Sequence, residues 1–280
     1  MILVTGAGGT VGRELVRSLT AMQAPFRAGY RSAEKAQLAR SAGMDAVVFD
    51  YERLDSIRAA LEGVDGVFLL SSQPGLEPAL VREAKPAGVR RLVKLSVWGA
   101  PTEAFSFARQ HRPVERAIES SGVPYTFLRP NGFFQNILNF YSTTIRAQGA
   151  FYIPAGEARI SHIDARDIAA VAARTLLDDG HAGMSYELSG PEALTYSEIA
   201  EKLSAAAGKT IRYVDLPEAE FRAGLLAAGA DPAAAEALID LVHYYIAGQA
   251  GTISPAVLKI TGREPIPFDR FARDHADAFR

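Results

Sequence analysis

The segment Thr5-Gly6-Ala7-Gly8-Gly9-Thr10-Val11-Gly12 is the first place where residue types and spacing could do chemistry. Gly6, Gly9 and Gly12 recur at every third residue, between an apolar run at Ile2–Thr5 and an amphipathic stretch at Val11–Met22. A strand that turns sharply into a helix offers unbonded N–H groups and the positive end of the helix dipole to a phosphate. Gly6 permits the tight turn, Gly9 lets the backbone approach a pyrophosphate, and Gly12 lets the helix pack closely on the strand. The loop therefore predicts a dinucleotide site with Gly6, Gly8, Gly9, Thr10, Val11 and Gly12 in contact.

The choice of nucleotide is written at the end of the second apolar run, Ala28-Gly29-Tyr30-Arg31-Ser32. An acid is expected there when the ribose 2′-OH is to be bound. Here no acid stands, and Arg31 can pair with a 2′-phosphate through charge-assisted bonds, with Lys35 adding a second positive charge. NADPH is the expected cofactor and NADH the less suited one; the alternative is that both cations are merely solvated residues at a helix start. Asp50-Tyr51 ends the third run, where an adenine edge would lie, although Asp50 could equally cap the next helix. Open α/β sheets bind ligands at the carboxyl ends of their strands, which nominates Leu70, Ser71, Ser72, Ser96, Pro130 and Asn131 as further cofactor contacts.

His111 and Glu115 stand four residues apart and share a helix face. Either His111 assists at the reacting group while Glu115 holds its tautomer, or the two brace the following loop. Trp98, Phe105, Phe133, Phe134, Phe140, Tyr141 and the Tyr244-Tyr245 pair could wall an apolar acceptor pocket or could be core. His162 is expected to be structural and Asp164 a helix cap, and no His, Asp and Glu cluster has metal-ligand spacing.

These residues need a scaffold, and the chain supplies alternating apolar and amphipathic stretches. Strands are expected at Ile2–Thr5, Phe26–Tyr30, Ala46–Phe49, Gly66–Leu70, Arg91–Ser96 and Tyr125–Arg129, with helices near Val11–Met22, Ala33–Ala42, Leu54–Leu61, Glu77–Ala87 and Phe107–Ser120. Right-handed crossovers turn this order into a doubly wound parallel sheet, a Rossmann-type α/β fold. Past Pro130 a helix is expected over Phe133–Gln148, then a strand at Ile160–Ile163 and a helix at Ala165–Leu177 returning to the main sheet. The remainder is expected to be helical, at Tyr196–Ala207, Glu218–Ala228, Pro232–Ala247 and Phe268–Phe279. The predicted division is a dinucleotide-binding core at 1–132 completed by 159–185, with 133–158 and 186–280 forming a small interleaved, mostly helical substrate lobe.

The 280 residues carry a net charge of −2, which gives no reason to expect nucleic acid or an anionic membrane as partner. The absence of cysteine excludes disulfides, thiolate metal sites and a cysteine nucleophile. No signal-like leader and no apolar run of about 20 residues is present, so a cytoplasmic protein is expected.

The chain resembles the NmrA-like group of atypical short-chain dehydrogenase/reductases. The resemblance rests on Thr5–Gly12, Arg31, the stretch Gly122-Val123-Pro124-Tyr125-Thr126-Phe127-Leu128-Arg129-Pro130, Ile160–Ile168, Tyr186-Glu187-Leu188-Ser189-Gly190-Pro191 and Thr261-Gly262-Arg263. It implies a Rossmann-type core with a small substrate lobe that binds NADP(H). The group includes quinone and triphenylmethane-dye reductases, and also regulators that bind the nucleotide without turning it over. A His and a Glu at the spacing of His111 and Glu115 recur in the matching reductases.

Conventional short-chain dehydrogenases place Tyr-x-x-x-Lys on the helix that here reads Phe107-Ala108-Arg109-Gln110-His111-Arg112-Pro113-Val114-Glu115, where no such pair exists. Quinones, conjugated cations and iminium ions need little acid assistance, so orientation of the acceptor against the nicotinamide would suffice. The expected activity is hydride transfer from NADPH to a planar conjugated small molecule of quinone, imine/iminium or dye type. The alternative is an NADP(H)-sensing regulator that signals through a protein partner. Neither reading decides whether the chain forms a homodimer.

Overall fold

The computed structural model describes residues 1–280, which divide into two compact units. The first comprises Met1–Pro101, Arg109–Pro130 and Ala165–Glu187. Its strands are β1 (Ile2–Val4), β2 (Phe26–Tyr30), β3 (Ala46–Val48), β4 (Gly66–Leu69), β5 (Arg91–Leu95) and β6 (Tyr125–Pro130). They lie in the order β3-β2-β1-β4-β5-β6, and each neighbouring pair is parallel. This is the doubly wound order that brings the carboxyl ends of β1 and β4 together where the winding reverses.

The strands are short apolar runs because both sheet faces are covered. Helices α3 (Leu54–Leu61), α4 (Pro78–Ala84) and α5 (Ser106–Ser121) cover one face, where Ile57, Leu80 and Ile118 meet Leu3, Leu92 and Phe127 in one buried cluster. Helix α1 (Thr10–Ala21) buries Val11, Leu15 and Leu19 and packs against α7 (Ala165–Leu177), which in turn lies under β4, β5 and β6. Helix α2 (Ala33–Ser41) flanks β2 and β3 and starts at Ser32, whose hydroxyl accepts from the Lys35 N–H at 3.2 Å.

A seventh strand extends the sheet beyond β6, and it corrects the sequence expectation. Ile160–Ile163 does not form it, because that segment makes only isolated bridges, Phe133 with Ile163 and Ile160 with Leu194. The seventh strand is β8 (Met184–Leu188). Residues 159–164 accordingly group with the second unit rather than with the core, as do 102–108, while Tyr186 and Glu187 belong to the first.

The second unit comprises Thr102–Ala108, Asn131–Asp164 and Leu188–Arg280. The helix expected over Phe133–Gln148 begins late, as a π turn at Ile137–Tyr141 followed by α6 (Ser142–Gln148), which ends at Gly149 in the left-handed region. Two three-residue strands that the sequence did not announce, β7 (Ala150–Tyr152) and β9 (Arg212–Val214), pair in parallel. Helix α8 (Tyr196–Ala207) opens with a Thr195/Glu198 capping box, a device that stabilises a helix start by about 1 kcal/mol, and it packs on α12 (Phe268–Asp274). Helices α9 (Glu218–Ala227) and α10 (Pro232–Ile246) pack together, the second capped by Asp231, and α11 (Ala256–Thr261) follows. No helix is long and apolar enough to cross a membrane.

Candidate active site

The glycine loop joins β1 to α1 and is held rigidly. Gly6 has φ +65°, and the Gly9 N–H donates to the Gly6 carbonyl at 2.9 Å. A β-carbon at Gly12 would stand 2.1 Å from the Gly6 carbonyl oxygen, so no side chain fits there. This sharpens the role read from sequence: Gly12 admits the carbonyl of its own loop. Gly8 and Gly9 are exposed, and the α1 N-terminus carries no side-chain cap and no acid in its first turn. Its free N–H groups and dipole are thus available to an anion, and the loop fits a pyrophosphate. Thr10 is half-buried, whereas the Val11 side chain is buried in the α1 packing and only its backbone is offered.

Arg31 and Lys35 are exposed, and neither side chain makes an ion pair. Two uncompensated cations at the end of β2 suit a 2′-phosphate. Asp50 is occupied locally: its carboxylate accepts from the Glu52 N–H at 3.0 Å, and its own N–H donates to Ser56 Oγ at 3.0 Å. It is not the cap of α3, whose cap position is Arg53.

Tyr51 is a brace. Its hydroxyl donates toward Thr5 Oγ1 at 3.0 Å and the Leu70 carbonyl at 3.1 Å, and Thr5 Oγ1 accepts from the Leu70 N–H at 2.8 Å. The carboxyl ends of β1 and β4 are tied together behind Gly6, where a β-carbon would stand 3.3 Å from the Leu70 carbonyl oxygen. Burial pushes the Tyr51 phenol well up, and the nearby Glu77 charge adds to that. Ser71 accepts from the Gln73 N–H at 3.0 Å, and Ser72 is exposed.

Behind this brace lies a buried ion pair that the sequence reading missed. Lys94 on β5 reaches Glu77 at 2.9 Å, and both side chains are fully enclosed. Lys94 also donates to the Leu95 carbonyl. Burial raises the Glu77 carboxyl, with the Lys94 charge opposing. The signal was available, because a lysine inside Arg91-Leu-Val-Lys-Leu can have no solvent in a strand flanked on both sides.

Lys94 also alters His111. Burial, then the Lys94 charge, hold that imidazole well below its ordinary range, so it is neutral, and its Nδ1 is enclosed without a partner. Glu115 does not orient it. The Glu115 carboxylate is fully buried and forks onto Arg129, with Nε to Oε1 and Nη2 to Oε2 both 2.9 Å, and it takes Arg112 at 3.0 Å. The expected His111–Glu115 pair is therefore replaced by two separate arrangements, and the neutral His111 can offer one N–H or one lone pair but no ready positive charge. Arg129 also faces Glu187 at 3.7 Å, and burial raises the Glu187 carboxyl to about 7 against the pull of Arg129. Ser96 Oγ is buried without a hydrogen-bond partner, and the Pro130 carbonyl accepts from the Trp98 N–H at 2.9 Å.

In the second unit Asn131 is a clamp, which removes its side chain from the cofactor contacts expected. Its Nδ2 donates to Ser161 Oγ at 3.0 Å and the Ala250 carbonyl at 2.8 Å, and its Oδ1 accepts from the Gly132 N–H at 2.9 Å. Of the aromatic wall, Phe105 is buried on Tyr244 with ring centres 4.4 Å apart, and Phe134 is buried between Phe268 and Phe271 at 5.0 and 5.3 Å. Both are core, because their rings are consumed by neighbours. Trp98 is 9% exposed and Phe133 half-buried, while Phe140 is 65% exposed. Tyr245 and Tyr141 belong to a nest of rings with Tyr196 and His162, the histidine and Tyr245 centres being 6.4 Å apart.

The NmrA-like family model matches residues 1–258. Over its whole length the chain is 38% identical to 99% of an NAD(P)H azoreductase from Xenophilus azovorans. An NADPH-dependent quinone oxidoreductase from Escherichia coli, solved with NADPH, superposes with a TM-score of 0.88 at 30% identity, over 98% of this chain and 99% of that one. A triphenylmethane reductase from a Citrobacter species, solved with NADP(H), superposes with a TM-score of 0.85 at 25% identity, covering 98% of this chain and 99% of that one. With its Rossmann-type sheet, uncapped α1 N-terminus and unpaired Arg31, the chain belongs to the NmrA-like family.

Proposed function

We propose that this chain is an NAD(P)H-dependent oxidoreductase that uses NADPH to reduce a planar conjugated small molecule of quinone, imine/iminium or dye type. The observation that carries the cofactor half is the Gly12–Gly6 approach at the uncapped start of α1, with Arg31 and Lys35 unpaired at the end of β2. In this reading the loop residues Gly6, Gly8, Gly9, Thr10, Val11 and Gly12 cradle the pyrophosphate, and Arg31 and Lys35 take the 2′-phosphate. Leu70, Ser71, Ser72, Ser96 and Pro130 lie at or just beyond the carboxyl ends of β4, β5 and β6, the edge along which the remainder of the cofactor would run. Bound NADPH supplies the hydride.

The acceptor half is supported by the names of the relatives, which act on azo, quinone and triphenylmethane compounds. It is also supported by what α5 lacks, since the helix contains neither tyrosine nor lysine. A neutral His111 is a weak acid, so acceptors that are electrophilic without protonation suit this chain best. Trp98 and Phe133 remain as candidate ring contacts. NADPH oxidation by the purified protein, followed against a panel of quinones, azo and triphenylmethane dyes, enones and cyclic imines, tests the reading. Turnover of at least one member is expected; tight NADPH binding with no turnover of any overturns it.

A further inference from the structure

His162 and Tyr245 converge on Gly132. A β-carbon at Gly132 would stand 3.0 Å from the Tyr245 hydroxyl, 3.1 Å from His162 Nε2 and 2.7 Å from His162 Cδ2. The backbone holds Gly132 and His162 in place. The Gly132 carbonyl accepts from the Ile163 N–H at 2.9 Å, and the His162 carbonyl accepts from the Gly190 N–H at 3.0 Å, where a β-carbon would come within 2.3 Å of that oxygen.

This corner is polar, with the Ile160 backbone beside the His162 ring. His162 is 5% exposed, and its Nδ1 is enclosed without a partner. The Tyr245, Tyr196 and Tyr141 phenols neighbour one another, and no hydrogen bond tempers the effect of burial on any of them. Buried polar groups are ordinarily hydrogen-bonded, and His162 Nδ1 is the enclosed atom of this corner that lacks a partner. A neutral imidazole offers either an N–H or a lone pair, and a phenol offers both. Together they can donate to a carbonyl oxygen and can equally accept from the hydroxyl that the oxygen becomes on reduction. A triaryl cation without oxygen satisfies neither group.

We infer that His162 and Tyr245, on the floor formed by Gly132, are an oxygen-binding end of the acceptor site and select a neutral conjugated carbonyl compound of quinone type over a cationic dye. The inference rests on the reductase reading of the preceding subsection for the identity of the site as an acceptor site.

The test is titration calorimetry of a naphthoquinone in the presence of NADP, with Tyr245→Phe, His162→Leu and Gly132→Ala beside the parent protein. Tyr245→Phe removes one atom that makes no hydrogen bond, so its folding is unaffected, and melting temperatures check the other two. Quinone binding should weaken about tenfold in Tyr245→Phe and in His162→Leu, the size of one lost hydrogen bond, and further in Gly132→Ala, whose methyl enters the corner. A cationic triphenylmethane dye and NADPH should bind Tyr245→Phe and His162→Leu as they bind the parent. Unchanged quinone affinity in Tyr245→Phe and His162→Leu, equal losses for quinone and dye, or no quinone binding by the parent protein overturns the inference. Quinone that binds through these residues but is not reduced by NADPH leaves the oxygen site standing and removes the reductase reading instead.

Discussion

Lys94 Nζ lies 2.9 Å from the Glu77 carboxylate, and neither side chain has any solvent exposure. A buried pair of this kind gains little over an apolar pair of the same volume, yet breaking it strands a charge. Each partner is doubly used, since Lys94 also donates to the Leu95 carbonyl and the Glu77 charge is felt at Tyr51. The pair thus ties α4 to β5 beneath the end of the sheet where the glycine loop begins.

Glu77→Leu and Lys94→Met should each destabilise the protein by about 3–5 kcal/mol, and the double substitution Glu77→Leu with Lys94→Met should recover most of that. Urea unfolding of the parent and the three variants measures it. Single-variant losses that simply add in the double variant would mean that the two groups act independently.

Gly12→Ala should fold poorly or lose at least tenfold in NADPH affinity, because its methyl would stand 2.1 Å from a backbone carbonyl that cannot move without opening the turn. Gly8→Ala is the control, since its β-carbon would meet only the Tyr30 ring at an ordinary 3.5 Å. Its melting temperature should match the parent's. A Gly12→Ala protein with native melting temperature and native NADPH affinity contradicts the assignment of the loop.

The scaffold was legible because parallel strands buried on both faces are written as continuous apolar runs, and β2, α3, α7 and α8 fall where their runs and caps put them. The alternation in Ile160-Ser-His-Ile imitates a strand, but the segment finds only single bridging partners, so pattern without a ladder misleads. The pairing of β7 with β9 joins residues about sixty apart, and three-residue strands carry no period of their own. The site was legible to the same depth. Gly12 and Arg31 act through local backbone geometry and position on a strand, which spacing reveals. The partner of a polar side chain is a property of the folded surface around it. Glu115 shares a helix face with His111 yet turns to Arg129, which brings a bidentate fork that the imidazole cannot match.

Arg31→Ala should lower NADPH affinity by about ten- to a hundredfold and leave NADH affinity unchanged, because a charge-assisted bond to a phosphate is lost only with the cofactor that carries it. Lys35→Ala should show the same selectivity with a smaller loss, its longer stem being less pre-organised. Fluorescence titration of both cofactors measures the ratio. Equal affinities for NADPH and NADH in the parent protein rule out a 2′-phosphate site at Arg31.

Glu187 makes stability depend on pH in a direction opposite to most carboxylates. Its folded value is about 7, raised by burial with Arg129 pulling against it, while in the unfolded chain it titrates near the ordinary value of about 4.3. Between those two values the folded protein holds a proton that the unfolded chain has released. Stability from this group is therefore complete below about pH 4 and is lost as pH rises through 7, beyond which no further change follows. Because the side chain is 36% exposed, water screens part of the effect and the slope is shallow. Glu187→Gln keeps the shape and removes the titration. The difference in melting temperature between Glu187→Gln and the parent should grow in favour of the variant from pH 5 to pH 8 and then level off. A difference that stays constant across that range, or that shrinks as pH rises, would show that Arg129 holds Glu187 ionised in the folded protein, as a simple ion pair would.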